Sequence, residues 1–153
     1  MKPEIRKQLS DILDTRQKQK DAATAWTAEK QSAEEKNLAD FNAAKEKVIK
    51  PAFQEIVELY KAKGMSAHIV EQDEQYNSRG PSTPASIGLD LAQEEHRGNT
   101  MKPQFRFIFD RRTRTISLYT STGSQGGPAG TPVPLDSVTA EWIQNAFVNY
   151  ASR

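Results

Sequence analysis

From Glu4 to Lys50 the sequence holds neither proline nor glycine. Those two residues are the usual interrupters of a helix, and without them nothing local stops one once it has started. The stretch is rich in Ala, Glu, Lys and Gln, all good helix formers, and Pro3 suits a first helical position. The run leads into Val48–Gly64, where Ile49, Phe53, Ile56 and Tyr60 recur at helical spacing and Val48, Ala52, Val57 and Leu59 widen the stripe. Lys61 and Lys63 complement the dipole of a last turn, and Gly64 fits the left-handed residue that closes a helix. A helix over the whole stretch would measure on the order of 90 Å at ~1.5 Å per residue. Pro51 is expected to kink it or to open a second helix.

Apolar content divides this helical region. Between Glu4 and Lys47 the large apolar residues are Ile5, Leu9, Ile12, Leu13, Trp26, Leu38 and Phe41, seven in 44 positions, whereas Val48–Lys63 holds seven in 16. The first part is too polar to build a core, and an isolated polar helix is marginal in water. The spacing therefore predicts an extended helical arm over residues 1–47 and an α+β head over residues 48–153. Those seven apolar side chains are the expected oligomer interface. Their heptad track is broken at Arg16, Gln19, Lys30 and Asn37, so a regular coiled coil is not expected, and a helical hairpin within the arm stays open.

After Gly64 the apolar period becomes two. Met65, Ala67 and Ile69 mark one strand, Ile87, Leu89 and Leu91 a second, Phe105, Phe107 and Phe109 a third, and Ile116 and Leu118 a fourth. Glu71–Pro84 and Gly123–Pro134 read as loops. The closing helix carries Trp142, Ile143, Ala146, Phe147 and Tyr150 on one stripe, with Asp136 or Thr139 as its cap. The expected fold is α+β: a long N-terminal helical arm, then a four-stranded antiparallel meander. The C-terminal helix packs on the same sheet face as the second half of the long helix.

Among polar groups, Lys102, Arg106, Arg111, Arg112 and Arg114 crowd about one predicted hairpin, a possible contact for an anion or a partner. The Phe105–Phe109 strand resembles the aromatic strand of RNA-binding sheets but lacks its glycine spacing, and its rings suit a core better. Charge is uneven: Met65–Thr100 has two basic against six acidic residues, and Met101–Arg153 six basic against three acidic. The histidines, His68 and His96, share the acidic middle with Asp73, Glu74, Asp90, Glu94 and Glu95, at no spacing that suits a metal. The Gly123–Gly130 stretch lacks the Gly-Lys-Ser/Thr ending of a phosphate loop, and no Gly-x-Ser-x-Gly occurs.

With no cysteine, disulfides and thiolate chemistry are excluded. No apolar run approaches the ~20 residues of a membrane span, and the N-terminus lacks the apolar core of a secretory signal, so the expected location is cytoplasmic. The hydrophobic share of 36% and mean hydropathy of −0.74 reflect the polar arm. The expected function is non-enzymatic: an assembly protein without a cofactor that self-associates, as a dimer, through the arm. Another protein partner is possible, and nucleic-acid binding through Arg106–Arg114 is the alternative.

Overall fold

Helix α1 begins at Pro3 and runs to Ala44, as the absence of proline and glycine after Pro3 permits. The computed structural model describes residues 2–77, 80–92, 103–121 and 126–152. The chain divides into two units, Met1–Lys36 and Asn37–Arg153.

The first unit is helical from Pro3 on, and none of its described residues is buried. Its hydroxyls are satisfied within the helix: Thr15, Thr24 and Thr27 each donate to the backbone carbonyl four residues earlier, at 2.9 Å.

In the second unit, α1 passes through a π-helical turn, Lys45–Ile49, into helix α2, Lys50–Ala62. The turn has a cause in Pro51. A proline in an α-helix lacks the N–H and presses its ring on the carbonyl four residues back. The wider turn relieves that crowding, and the Lys50 N–H donates to the Lys45 carbonyl, the longer bond of a π turn. Both Lys45 and Ile49 are thereby turned inward. Helix α2 ends on Gly64 at φ 75°. There Met65 N–H donates to Tyr60 O (2.9 Å) and Gly64 N–H to Lys61 O (3.1 Å), the paired bonds of a Schellman closure.

The strands are β1 Ser66–Gln72, β2 Gln75–Asn77, β3 Gly80–Thr83, β4 Ser86–Ala92, β5 Gln104–Asp110, β6 Thr115–Ser121 and β7 Gly126–Pro134. The main sheet is antiparallel, in the order β1-β4-β5-β6-β7, and β2 and β3 pair apart from it. The sheet thus has five strands rather than the four expected. The extra one, β7, lies in the Gly/Pro-rich stretch expected to be a loop. Its backbone continues the ladder from β6 although its sequence shows no apolar alternation of period two. Likewise the expected Glu71–Pro84 loop contains the β2-β3 hairpin.

Phe105, Phe107, Ile87 and Leu89 sit opposite one another on one face of the sheet, fully buried. Phe53 of α2 stacks on Phe107 (5.5 Å) and meets Phe105 edge-on (6.2 Å). Helix α3, Ala140–Ala151, brings Trp142 to Phe107 (5.6 Å) and Phe147 to Phe105 (5.2 Å). Each fully buried phenylalanine is worth about 1.5–3 kcal/mol of transfer, so this aromatic layer is the main support of the head. Leu135 and Val138, around the 3₁₀ turn Leu135–Ser137, close the core beside it. Thr139 caps α3, its Oγ1 accepting from Trp142 N–H at 3.1 Å.

Candidate functional site

Two groups of residues stood out in the sequence, and the structure treats them differently. On α1, Ile5, Leu9, Ile12 and Leu13 fall at helical spacing and remain exposed, as does Trp26 at 64%. The Lys30 ammonium lies 5.5 Å from the Trp26 ring, a cation–π contact along one helix face. Leu38 is half-buried against the core. Phe41 requires correction as an interface residue. It is fully buried in its own chain and stacked on Phe109, ring centroids 4.5 Å apart and nearly parallel. Its ring has no face left for a second copy. The physical reason is that α1 already belongs to the head from Asn37 onward.

The arginines of the β5–β6 hairpin are mostly engaged inside the head. Arg114, in the left-handed region at φ 55°, donates to Asp40 and Asn37 of α1 and, at 2.9 Å, to Asp136 before α3. It thus ties the hairpin to α1 and to the 3₁₀ turn before α3. Arg111 pairs with Glu74 at 3.0 Å, both side chains nearly buried, and the Asn37 amide donates to the Arg111 carbonyl at 2.9 Å. Asp110 accepts from the Arg112 N–H at 2.9 Å and shapes the turn, while the Arg112 side chain is 73% exposed. Arg106 is half-exposed on the sheet face away from the helices, opposite Gly88 and Tyr119. Gly88 is needed there, because a Cβ would come within 2.8 Å of the Arg106 Cα. Lys102 and His96 lie outside the described residues, and the structure does not gather the arginines into one open patch.

A third cluster was not foreseen. Glu71 on β1 accepts from Lys45 (3.2 Å) and Lys50 (3.0 Å), and Lys45 also sits 5.9 Å from the Phe41 ring. Burial opposes ionisation of Glu71, but hydrogen bonds and charge from the two lysines outweigh it and hold its carboxyl below its ordinary value of 4.5. Nothing local in the sequence pairs Glu71 with Lys45, or Arg114 with Asp40. These partners are distant in the chain and meet only through the fold.

No family model, curated protein or solved structure matches this chain.

Two of the concavities among the described residues lie in the second unit. One, of about 360 Å³, is lined by Glu74, Pro84, Ile108, Asp110, Arg111 and Arg112. Its buried acid and base are bonded to each other. The other, of about 370 Å³, lies among Leu118, Thr120, Ala129, Trp142, Asn145 and Tyr150. There the Tyr150 hydroxyl donates to Ser121 O at 2.7 Å, and burial pushes its phenol above the ordinary value, with Tyr60 adding to the effect. His68 is exposed on β1, opposite Asp90. Among the described residues no three His, Asp or Glu side chains come together, and no helix is long and apolar enough to cross a membrane.

Proposed function

We propose that this chain is a non-enzymatic assembly protein that forms a homodimer through the first part of α1. The observation that carries this reading is the exposure of Ile5, Leu9, Ile12 and Leu13, each 44–52% accessible, on a helical segment with no buried residue. Four large aliphatic residues within nine positions make a short apolar stripe. A second copy of the same stripe would cover it, as in a short coiled-coil seam. Such pairing also supplies what a polar helix lacks in water, a packed face.

The test is sedimentation equilibrium of the full chain at micromolar concentration, beside a Leu9→Asp/Ile12→Asp double variant. The expected result is a larger species for the parent chain than for the double variant, whose α1 pairing is lost, with partial loss of helical circular dichroism in the variant. A monomeric parent chain with a fully helical arm would overturn the reading.

A second reading, nucleic-acid contact through the hairpin, rests on Arg106 and Arg112. Among the described residues Arg106 makes no ion pair, and Arg112 is largely exposed. It requires affinity for DNA or RNA that falls steeply with salt and with Arg106→Ala/Arg112→Ala. The engagement of Arg111 and Arg114 with internal carboxylates leaves it the weaker of the two.

A further inference from the structure

The two edges of the main sheet are unlike. Strand β7 carries Pro128, Pro132 and Pro134, its register with β6 shifts between Ile116 and Leu118, and Gly130 sits at φ 75°. Prolines and bulges of this kind block the addition of another strand. Strand β1 has no proline, no glycine and no bulge, and pairs with β4 over its whole length, Ser66 to Gln72.

The hydrogen-bond register shows which β1 groups are left over. Ala85 O accepts from Phe109 N–H and Leu91 N–H donates to Pro103 O, so odd-numbered β4 residues address β5. By alternation Ser86, Gly88, Asp90 and Ala92 address β1, where their partners are Gln72, Val70, His68 and Ser66. Ala67, Ile69 and Glu71 therefore direct their N–H and C=O groups away from the sheet. Among the described residues no strand pairs with them.

We propose that the β1 edge is a second self-association surface, on which β1 of another copy pairs antiparallel about a two-fold axis at Ile69. The backbone groups specify an extended strand as occupant. The blocked β7 edge narrows the ways two copies can join: β1 cannot continue onto β7 of the next copy, which leaves the closed β1–β1 pair between the main sheets. The side chains permit it. Centred on Ile69, the register sets Ala67 opposite Glu71, His68 opposite Val70 and Ser66 opposite Gln72, with no like charges facing. About six backbone hydrogen bonds would form. This contact goes beyond the α1 pairing and stands or falls apart from it.

The chain contains no cysteine, so introduced thiols report without background. His68→Cys and Val70→Cys single variants of the full chain are mixed and oxidised with glutathione. The two positions face each other only across the proposed axis, as a non-hydrogen-bonded pair with Cα atoms about 4.5 Å apart. The expected result is a disulfide joining the two different variants, well above its random share, and its loss when Ile69→Pro is added to both. Ser66→Cys with Gln72→Cys, in the same register, repeats the test at a second pair of positions. Random disulfide partners or no cross-link at both pairs would overturn the proposal. So would cross-linking to a synthetic Thr-Val repeat peptide bearing one cysteine without cross-linking between copies. Repeating the oxidation with Leu9→Asp/Ile12→Asp separates the surfaces: an undiminished cross-link is expected, and its disappearance would overturn an independent β1 contact.

Discussion

Arg114 shows how much a single residue can carry in this head. Its backbone sits at φ 55°, a region costly for any residue with a Cβ, yet its guanidinium joins Asp40 and Asp136. Two effects oppose each other there, and two substitutions separate them. Arg114→Ala loses the ion pairs and keeps the strain; Arg114→Gly loses the pairs and relieves the strain. In urea unfolding both should be destabilised, with the glycine variant about 1 kcal/mol the more stable of the two. Equal midpoints would show that the left-handed backbone costs nothing here. Glu71 gives a pH signature. Its folded pKa lies below the unfolded one, so its contribution is present above about pH 4.5 and lost as pH falls through the folded value. The stability gap between the parent chain and Glu71→Gln should therefore be constant near neutrality and close in acid. A gap that widens in acid would contradict the lysine pairing.

Elements differ in how far local sequence decides them, and this explains what was legible. The Phe105–Phe109 strand and α3 were plain because period-2 and period-3.6 patterns are written by side chains that enter the core. Strand β7 was not, because Gly126, Gly127 and Pro128 pair with β6 while offering no apolar alternation. The π turn could be placed only through Pro51, which signals a disturbance without naming its form. Long-range ion pairs such as Arg114–Asp40 leave no mark at either end. The exposed aliphatic residues of α1 were legible, while Phe41, with the same chemistry, is core because of where the head begins. The cap of α3 was narrowed to two residues, and hydrogen bonding selects Thr139 over Asp136. Thr139→Ala should cost about 1 kcal/mol in thermal or urea unfolding, since the Trp142 N–H then loses its acceptor. An unchanged stability would mean that water caps the helix as well as the hydroxyl does.

At the scale of the whole molecule, the decisive question is where the cooperative unit starts. The sequence set it at Val48, on the density of apolar residues. The division after Lys36 instead assigns Asn37, Leu38, Asp40 and Phe41 to the head. Each has an interaction there: Asn37 with the Arg111 carbonyl, Asp40 with Arg114, Phe41 with Phe109 and Leu38 with the core. Truncation should resolve the difference. A chain beginning at Asn37 should unfold in one transition with nearly the stability of the head in a monomeric parent, because none of the described residues removed is buried within the chain. A chain beginning at Lys45 loses Phe41 as well, and removal of a buried phenylalanine alone costs about 3–5 kcal/mol. That is a large part of the ~5–15 kcal/mol holding a domain of this kind together, so the shorter chain should be marginal or unfolded at 25 °C. Urea titrations followed by tryptophan fluorescence suit both truncated chains, since Trp142 remains against Phe107 after Trp26 is removed. If the chain from Lys45 folded as stably as the chain from Asn37, the last turns of α1 would be ornament to the head, and the Phe41–Phe109 stack could not be part of its core.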